Sequence, residues 1–197
     1  MKFGGSRSAD KAFHSEPGAD RSTMSRLTGL PPIIDVQARL LILGSFPSAA
    51  SLAAGQYYAH RQNQFWRLLS IILDAPLLAM DYPAKQEAVK AAGLAIWDIY
   101  SHCERNGSLD SAIRNVQIND FAMLAAKAPQ LQQVCFNGQM AGKHRGLFEA
   151  MGYHTLILPS TSPANASWSF NRKLNAWQTA LSLMRCRPVL ISHSCTS

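Results

Sequence analysis

Residues 40–66 read LLILGSFPSAASLAAGQYYAHRQNQFW. An apolar run over residues 40–43 stops at Gly44, small and polar residues follow, and a helical pattern opens at Asn63. This order predicts a strand, a long loop and a helix. In an open α/β sheet, ligands bind beyond the carboxyl ends of the strands, and long loops in compact domains usually carry function. We therefore expect the functional site in this loop.

Short apolar runs alternate with helical patterns along the rest of the chain. The predicted strands are at residues 40–43, 94–100, 133–136 and 154–158. The predicted helices are at residues 63–73, 83–92, 119–129, 139–151 and 170–184. Residues 101–116 are polar and rich in turn-forming residues, which predicts a loop. Alternating strands and helices form βαβ units, so the sequence predicts an α/β fold with three α/β/α layers around a central four-stranded, mainly parallel sheet.

The length and composition predict one domain with two tails. The chain has 197 residues, of which 47% are hydrophobic, and a domain usually holds about 100–200 residues. Residues 1–34 are rich in glycine, serine, proline and charge, which predicts a flexible N-terminal tail. We place the domain at residues 35–187 and a C-terminal tail at residues 188–197. Because no run of about 18 apolar residues and no signal-peptide pattern is present, we expect a cytoplasmic protein without a membrane segment.

The charge distribution favours a polyanionic partner. The formal net charge is +7, and after Asp120 the only acidic residue is Glu149. The opening stretch between Asp35 and Asp74 contains no acidic residue. A basic, acid-poor face suits nucleic acid, although an ordinary solvated surface of this charge is about equally common. Charge alone therefore leaves both interpretations open.

Several common chemistries have no support in the motifs. The sequence contains no phosphate-binding loop, no dinucleotide fingerprint and no nucleophile elbow. The four cysteines are widely spaced, which argues against zinc and iron–sulfur sites. The loop over residues 44–63 has no carboxylate, so a paired-carboxylate hydrolase would need a partner for Asp98 that the loops after the strands do not supply. We expect neither a metal nor an organic cofactor.

Neutral hydrogen-bonding side chains remain at the predicted strand ends. They are Ser45, Ser48, Gln56, Tyr57, Tyr58, His60, Asn63, Ser160, Thr161, Ser162 and Asn165. Asp98 adds one carboxylate. Such a set suits a flat heterocycle, whose edge is read by amides and hydroxyls while Phe46 or a tyrosine stacks on its face. Residue types alone leave an alternative open, since serine, asparagine and glycine are ordinary loop formers and Asn63 could simply cap a helix.

Three motifs carry a resemblance to a known family. They are GSFPSAAS at residues 44–51, YYAHRQNQFW at residues 57–66 and LPSTSPANAS at residues 158–167. These motifs resemble the uracil-DNA glycosylase superfamily, and most closely its branch of hypoxanthine (deoxyinosine) DNA glycosylases. The resemblance covers about residues 36–187. It is specific because motifs at opposite ends of one domain are joined by a matching order of strands and helices.

The motifs depart from the uracil-specific members at both catalytic positions. Phe46 stands before Pro47 where those members carry the aspartate that handles the attacking water. Leu158 stands where they carry a histidine that stabilises the departing uracil. The hypoxanthine branch shares these losses. The resemblance therefore lowers the expectation of strong uracil excision and favours hypoxanthine as the excised base.

The resemblance also implies roles for two residues. Asn63 is the implied catalytic residue, because its neutral amide cannot act as a base at pH 7 but can orient water at C1′ and stabilise a sugar with oxocarbenium character. Asp98 falls where the uracil enzymes read the edge of the base. A carboxylate there could accept a hydrogen bond from N1–H of hypoxanthine, whereas adenine has no hydrogen on N1. An alternative of similar weight is that Asp98 caps a turn at residues 101–103.

The implied base pocket and DNA contacts complete the predicted site. The pocket residues are Gly44, Ser45, Phe46, Pro47, Tyr57, Tyr58, His60 and Asp98. The DNA contacts are Ser48, Lys143, Ser160, Ser162, Asn165, Arg172 and Lys173. The three basic residues could instead be merely solvated. The loop over residues 160–166 is expected to press into the minor groove beside the flipped nucleotide.

The resemblance thus implies a monofunctional DNA glycosylase of base excision repair that flips deoxyinosine and hydrolyses its N-glycosidic bond. Its partner would be DNA with a damaged or deaminated base, and we expect a monomer in the cytoplasm, associated with the nucleoid. Two alternatives stay open: a mismatch-specific uracil-DNA glycosylase, and a catalytically inert DNA-binding module of the same fold. The intact motif around Asn63 counts against the second.

Overall fold

The computed structural model describes residues 1, 26–105 and 107–182. Its strands are β1 (Arg26–Thr28), β2 (Leu40–Gly44), β3 (Leu94–Asp98), β4 (Tyr100–Glu104), β5 (Arg114–Ile118), β6 (Gln133–Asn137) and β7 (His154–Leu158). Its α-helices are α1 (Ala49–Ala54), α2 (Phe65–Leu73), α3 (Tyr82–Ala91), α4 (Leu124–Lys127), α5 (Gln139–Gly142), α6 (Arg145–Ala150) and α7 (Phe170–Ser182). Single-turn 3₁₀ helices lie at Asp110–Ala112 and Phe121–Met123.

A four-stranded parallel sheet in the order β3-β2-β6-β7 forms the centre of the fold. In its register, Leu40 lies opposite Leu94 on one side and Gln133 on the other. Every residue of β2 is buried. Helices cover both faces of parallel sheets, so their strands are apolar along their whole length rather than alternating. The predicted α/β fold with a central four-stranded parallel sheet is confirmed.

Two aromatic clusters fix the helices on the sheet. Phe65 of α2 and Trp177 of α7 are fully buried and meet edge to face, with ring centroids 5.9 Å apart. Phe148 of α6 lies 5.5 Å from the ring of Phe136 in β6 and 4.7 Å from the ring of Phe121. Edge-to-face contacts suit the quadrupoles of aromatic rings and bury large apolar areas. These clusters hold the helical layers in place and leave the strand ends to the loops.

A second sheet, antiparallel and in the order β1-β4-β5, is not predicted by the sequence. It occupies much of residues 101–116, and the predicted strand at residues 94–100 is divided between β3 and β4. All five residues of β5 are exposed, and the short alternation of Val116 and Ile118 with polar neighbours is too brief to distinguish a strand from a loop. The prediction of a loop here is wrong because backbone pairing, rather than burial of one face, forms the strand.

Residues 26–34 pack on the domain, whereas the sequence assigns them to the N-terminal tail. The strand β1 pairs with β4, and the N–H of Gly29 donates to the carbonyl of Ser101 at 2.8 Å. Ile33 is 3% exposed and exchanges two backbone hydrogen bonds with Ile96, at 2.8 and 2.9 Å. The predicted domain boundary after residue 34 therefore lies too far toward the C-terminus. Residues 26–34 show no periodicity in the sequence, and backbone hydrogen bonds to the domain give them their structure. The rest of the predicted tails, residues 2–25 and 188–197, lies outside the described residues.

Several helices differ from the prediction. The predicted helix at residues 139–151 is divided into α5 and α6, and the one at residues 119–129 is a 3₁₀ turn followed by the single turn of α4. The helix α1 lies within the predicted loop, where the hydroxyl of Ser48 accepts the N–H of Ser51 at 3.1 Å. Gly142 ends α5 against β7, and a Cβ there would lie 2.6 Å from the side chain of Ile157. Close packing on the sheet therefore requires glycine at this helix end.

Three features bear on the other sequence expectations. In the described part of the chain, no helix is long and apolar enough to cross a membrane. No three histidine, cysteine or carboxylate side chains of residues 26–105 and 107–182 are grouped as a metal site would need. Cys103 and Cys135 are buried free thiols, and burial raises the pKa of Cys135 to about 12. A thiol in that environment stays protonated and unreactive.

Replacing Ile33 with alanine is expected to lower the free energy of unfolding by about 2–5 kcal/mol, because the lost side chain leaves a cavity beside β3. Val36→Ala is the matched control: Val36 is 53% exposed. Its replacement should change stability by no more than about 0.5 kcal/mol. Urea unfolding followed by circular dichroism measures both variants. Equal stability of Ile33→Ala and the wild type would show that residues 26–34 lie outside the cooperative unit.

Candidate active site

A cavity of about 500 Å³ opens at the carboxyl ends of the four parallel strands. Its walls are formed by the strand ends and the loops that follow them, at residues 44–48, 51, 57, 58, 63, 98, 108–110, 137–139, 157–162, 164, 165 and 168. This is the position at which open α/β sheets bind ligands. A second cavity of about 850 Å³ lies at the opposite ends of the strands, around Leu40 and Leu94, and contains none of the predicted site residues.

The wall at the ends of β2 and β3 is built from Gly44 and Asp98, which lie side by side in the sheet register. A Cβ atom on residue 44 would overlap Oδ1 of Asp98 and come within 3.4 Å of the Tyr58 hydroxyl. Glycine is therefore required here, so that the carboxyl group can lie against the strand backbone. The side chain of Asn119 donates to the carbonyl of Asp98 at 2.9 Å and fixes the end of β3.

Asp98 is a buried carboxyl group, with 3% of its surface exposed. Its Oδ2 atom is buried and makes no hydrogen bond to any described residue. Burial, and after it the charge of Asp110, raise the pKa of Asp98 to about 8, while Arg105 opposes the rise. At neutral pH the group is therefore mainly the neutral acid, which offers one hydrogen-bond donor together with acceptor capacity.

Tyr58 places a second unsatisfied polar atom in the same wall. Its ring stacks on Phe65 with centroids 3.7 Å apart, and its backbone has a φ of 55°. Bulky residues rarely adopt a positive φ, and such strain gathers at functional sites. The hydroxyl is buried without a hydrogen-bond partner among the described residues, and burial raises the pKa of Tyr58 well above its ordinary value. A polar ligand in the cavity can satisfy both Tyr58 and Asp98.

Asn63 lies at the entrance of α2, and one contact of its amide is already made. Its Oδ1 atom accepts the N–H of Phe65, the first residue of α2, at 3.0 Å, although the N-cap position itself is Gln64. Its own N–H donates to the carbonyl of His60 at 2.8 Å. The Nδ2 group makes no hydrogen bond to a described residue, and Asn63 lines the cavity. The hydrogen bond to Phe65 fixes the orientation of the amide and leaves its donors for a ligand, so the structural and catalytic interpretations are compatible.

Thr161 joins three loops of the cavity. It is fully buried, its backbone N–H donates to Oδ1 of Asn137, and its hydroxyl accepts from Nδ2 of the same residue, both at 2.9 Å. The carbonyl of Thr161 accepts the N–H of Gln64 at 3.0 Å. Buried hydrogen bonds of this kind are costly to break, because each lost partner leaves an unsatisfied group. The position of Asn63 is therefore fixed relative to the ends of β6 and β7.

The loop after β7 is closed by its own hydrogen bonds. Oγ of Ser160 accepts the N–H of Ser162 at 3.2 Å, and Nδ2 of Asn165 donates to the carbonyl of Ser160 at 3.0 Å. Trp168 forms the outer end of this wall, and the guanidinium of Arg172 lies 4.0 Å above its ring. A cation over an indole face is attracted by the ring quadrupole, so this contact holds the indole at the mouth of the cavity.

Most of the predicted site residues line the cavity. They are Gly44, Ser45, Phe46, Pro47, Ser48, Tyr57, Tyr58, Asn63, Asp98, Ser160, Ser162 and Asn165. Some of their polar atoms already have structural partners. The hydroxyl of Ser48 caps α1, and the hydroxyl of Tyr57 donates to the carbonyl of Leu30 at 3.1 Å. Tyr57 therefore lines the cavity with part of its ring, while its hydroxyl is engaged elsewhere.

Four predicted residues lie outside the cavity wall: His60, Lys143, Arg172 and Lys173. His60 forms the turn before Asn63, where its Nδ1 atom accepts the N–H of Gln62 at 3.2 Å. It supports the loop and does not reach the predicted base pocket, which corrects that prediction. Lys143 and Arg172 are exposed on the surface, where a phosphate can reach them.

Lys173 is not available as a DNA contact. It is 2% exposed because it lies on the buried face of α7, one turn before Trp177. Desolvation lowers the pKa of its ammonium group. Consecutive residues of a helix point in different directions, and in α7 Arg172 faces solvent while Lys173 lies on the side that packs against the domain. The prediction of Lys173 as a phosphate contact is wrong for this reason.

The sequence analysis does not identify two charged residues of the site. Asp110 lines the cavity, and its Oδ1 atom accepts the hydroxyl of Ser45 at 2.7 Å. Arg105 is 6% exposed and donates from Nη2 to the carbonyl of Pro47 at 2.6 Å. Its guanidinium carbon lies 5.2 Å from the ring centre of Phe46. Both charged residues come from the segment predicted as a loop, which carries no periodic signal that would direct them to the cavity.

Comparison with known proteins places these features in a family. The model described as the Uracil DNA glycosylase superfamily matches residues 31–181. A hypoxanthine DNA glycosylase from Methanosarcina barkeri is 40% identical over 152 residues, which are 77% of this chain and 96% of the relative. A hypoxanthine DNA glycosylase from Methanosarcina acetivorans is 40% identical over 150 residues, which are 76% of this chain and 94% of the relative.

A solved structure shows the same fold. It is a solution NMR structure of a candidate uracil DNA glycosylase from Methanosarcina acetivorans, with a TM-score of 0.74 and 37% sequence identity. The match covers 82% of this chain and 99% of that chain. The similarity therefore extends over most of this chain and nearly all of that chain.

The contribution of Asp98 to the stability of the folded protein should fall as the pH rises from about 4 to about 8. The unfolded chain releases the Asp98 proton near its ordinary pKa of about 4, whereas the folded protein holds it up to about 8. Because the unfolded state binds fewer protons in this window, this group lowers the free energy of unfolding by about 1.4 kcal/mol per pH unit. Asp98→Asn cannot ionise, so its stability relative to wild type in urea unfolding should increase between about pH 5 and about pH 7.5.

Asp120→Asn is the control for this measurement. Asp120 caps a 3₁₀ helix away from the cavity, where it accepts the N–H of Ala122 at 3.0 Å. Asparagine is an equally good cap, so this variant should differ from wild type by about the same small amount at both pH values. A difference between Asp98→Asn and wild type that does not change with pH would contradict a neutral buried carboxyl group.

Proposed function

The chain belongs to the uracil DNA glycosylase superfamily, and we propose that it is a hypoxanthine DNA glycosylase, which hydrolyses the N-glycosidic bond of deoxyinosine in DNA. The observation that carries the proposal is the cavity itself. The amide of Asn63 and the neutral carboxyl group of Asp98 both line it. The names of two relatives, matched over nearly their whole length at 40% identity, support the same base.

The cavity has the size and lining that a flipped nucleotide needs. Its volume of about 500 Å³ falls in the range of about 300–1,000 Å³ typical of small-molecule pockets. Phe46 supplies an apolar face for the base, and Tyr58 supplies an unsatisfied hydroxyl. A base within a duplex cannot reach such a pocket, so the enzyme must take it out of the stack. Removing a mispaired base costs less, which favours lesions over intact pairs.

Asp98 binds the lactam edge of hypoxanthine in this proposal. A neutral carboxyl group can accept from N1–H and donate to O6, and this pairing satisfies the buried Oδ2 atom. The acid proton can reside on either oxygen, so the same group could also pair with N1 and the amino group of adenine. An ionised carboxylate at Asp98 would discriminate against adenine, but the neutral group does so less. Discrimination against adenine therefore depends mainly on the lower cost of flipping a mispaired base.

Asn63 acts on the sugar. The hydrogen bond to Phe65 holds its amide in one orientation, which leaves Nδ2 and the remaining acceptor capacity of Oδ1 for water and for C1′. A fixed amide dipole stabilises positive charge that develops on the sugar without any reorganisation during the reaction. Asn63 is thus a catalytic residue that orients the attacking water.

The DNA backbone is held by the loop after β7 and by exposed basic residues. Ser48, Ser160, Ser162 and Asn165 line the cavity. Lys143 and Arg172 supply exposed positive charge, and the net charge of +7 supports a polyanionic partner. Action as a monomer and association with the nucleoid in the cytoplasm belong to the same proposal and rest on the sequence.

The proposed substrate is tested with duplex oligonucleotides that carry one deoxyinosine or one uracil, followed by alkali to cut the abasic site. We expect excision of hypoxanthine at least about tenfold faster than excision of uracil under single-turnover conditions. Uracil presents a similar N–H and carbonyl edge to Asp98, so the difference comes from the smaller pyrimidine ring, which makes fewer contacts in the cavity. Excision of uracil with intact deoxyinosine would instead support a mismatch uracil glycosylase. If neither base is removed at stoichiometric enzyme, the chain is a binding module.

Asn63→Ala should reduce single-turnover excision by about 100-fold or more, because a positioned transition-state dipole is lost. Gln62→Ala is the matched control, since Gln62 is a neighbouring amide that is exposed outside the cavity, and it should keep near-normal turnover. Binding of the uncut duplex, measured by fluorescence anisotropy, should persist in both variants. Turnover of Asn63→Ala within threefold of wild type would exclude the role proposed for this residue.

A further inference from the structure

The reaction needs a proton acceptor, and Asn63 cannot be one. The attacking water must lose a proton as it bonds to carbon, and a neutral amide has no basic site at neutral pH. A second group in the cavity wall that accepts this proton would therefore assist the attack. The cavity contains few groups that can ionise.

Four residues in the cavity wall have ionisable side chains: Tyr57, Tyr58, Asp98 and Asp110. Burial raises the pKa of both tyrosines, so their hydroxyl groups hold their protons. Asp98 is buried and holds its proton at neutral pH for the same reason. Asp110 is therefore the one carboxyl group of the described cavity wall that is left to act as an anion.

The surroundings of Asp110 differ from those of Asp98 in ways that favour its charged form. Asp110 as a whole residue is exposed, although its carboxyl group is partly shielded from solvent where its Oδ1 atom accepts the hydroxyl of Ser45 at 2.7 Å. No described residue donates to its Oδ2 atom, which is free to meet water. Partial burial raises the pKa of Asp110, and the hydrogen bond from Ser45 and the charge of Arg105 both oppose that rise.

Arg105 is the cation that balances the two acids. It is buried behind the loop after β2, held by its hydrogen bond to the Pro47 carbonyl and by the ring of Phe46. It lowers the pKa of Asp98 and of Asp110. Two carboxyl groups in one site whose environments differ in this way divide the roles of acid and base between them.

We propose that Asp110 is a second catalytic residue, whose carboxylate accepts a proton from the water that attacks C1′. The inference rests on the proposed function, since it assigns a step in the hydrolysis of deoxyinosine. As the water oxygen bonds to C1′, one water proton passes to Asp110 and the bond between C1′ and N9 breaks. Its electron pair leaves with the base, which takes a proton from solvent, and Asp110 returns its proton to solvent. The products are hypoxanthine and a sugar with a hydroxyl group at C1′.

Asp110→Asn tests the assignment and keeps the local structure. Asparagine still offers Oδ1 to the Ser45 hydroxyl, so the loop retains its contact while the basic site is lost. General base catalysis contributes about 10²- to 10⁴-fold, and we expect a loss of that size in single-turnover excision of deoxyinosine. Binding to a duplex with non-hydrolysable 2′-fluorodeoxyinosine should stay within about threefold of wild type. Asp110→Ser, a shorter acceptor, replaces the asparagine variant if that variant does not fold.

The pH dependence separates a catalytic from a structural role. The ionisable groups that face Asp110 are Asp98, Arg105, Tyr58, Tyr100 and Cys103. Because only the charged carboxylate accepts a proton, the single-turnover rate of wild type should fall as the pH drops through the pKa of Asp110. In Asp110→Asn this acidic limb should disappear. Asp120→Asn, the same change at a cap outside the cavity, should keep both the rate and the limb.

The outcomes are distinguishable. Loss of rate together with loss of the acidic limb, at retained DNA affinity, supports the assignment. Any other result for a folded variant overturns it, including excision within threefold of wild type or a loss of rate that only follows a loss of binding. If wild type cuts deoxyinosine, the proposed function stands whatever the variants do. If wild type cuts neither deoxyinosine nor uracil, the proposed function and the role of Asp110 fall together.

Discussion

The contact between the Asp98 carboxyl group and the backbone of Gly44 is the constraint on which the cavity depends. The two residues end neighbouring strands of the buried sheet, and the missing side chain of Gly44 is what lets the carboxyl group lie there. Immediately beyond, the N–H of Ile99 donates to the Gly44 carbonyl at 2.9 Å, and the N–H of Tyr100 donates to the Ser45 carbonyl at 3.1 Å. These bonds carry the chain from the parallel sheet into the antiparallel one, so the same strand end positions both Asp98 and the segment that supplies Asp110.

The remaining walls are fixed by a few buried hydrogen bonds rather than by packing alone. Thr161 pairs with Asn137 at the ends of β6 and β7 and accepts from Gln64 at the start of α2. One residue thereby sets the distance between the loop that holds Asn63 and the loop after β7. Sites built on rigid elements keep their geometry more precisely than sites on free loops. The loops of the cavity are therefore held in fixed positions by hydrogen bonds to the ends of the strands.

The sequence predicts the central sheet and most of the cavity wall, because those features follow from apolar runs and from the ends of parallel strands. Asn63 and Asp98 could be identified from motifs and position, while the charge state of Asp98 depends on burial that no single-sequence pattern reports. The antiparallel sheet escapes prediction since β5 is exposed at every residue. Arg172 and Lys173 are adjacent in the chain, but Arg172 is exposed and Lys173 is buried. The packing of α7 against the domain decides which of the two is buried, and the sequence does not report it. Asp110 comes from a segment with no periodicity, and its hydrogen bond to Ser45 spans 65 positions of the chain.

The tryptophans are distributed in a way that gives the protein an optical reporter of its own. Trp66, Trp97 and Trp177 are buried in the core, whereas Trp168 is only partly buried and lines the mouth of the cavity beneath Arg172. Two of the core indoles also contact the cavity wall, since Trp66 donates to the carbonyl of Tyr57 at 2.9 Å and Trp177 donates to the carbonyl of Pro159 at 3.0 Å. Trp168 is the indole that a bound molecule can touch directly, so occupancy of the site is expected to change the intrinsic fluorescence without an attached dye.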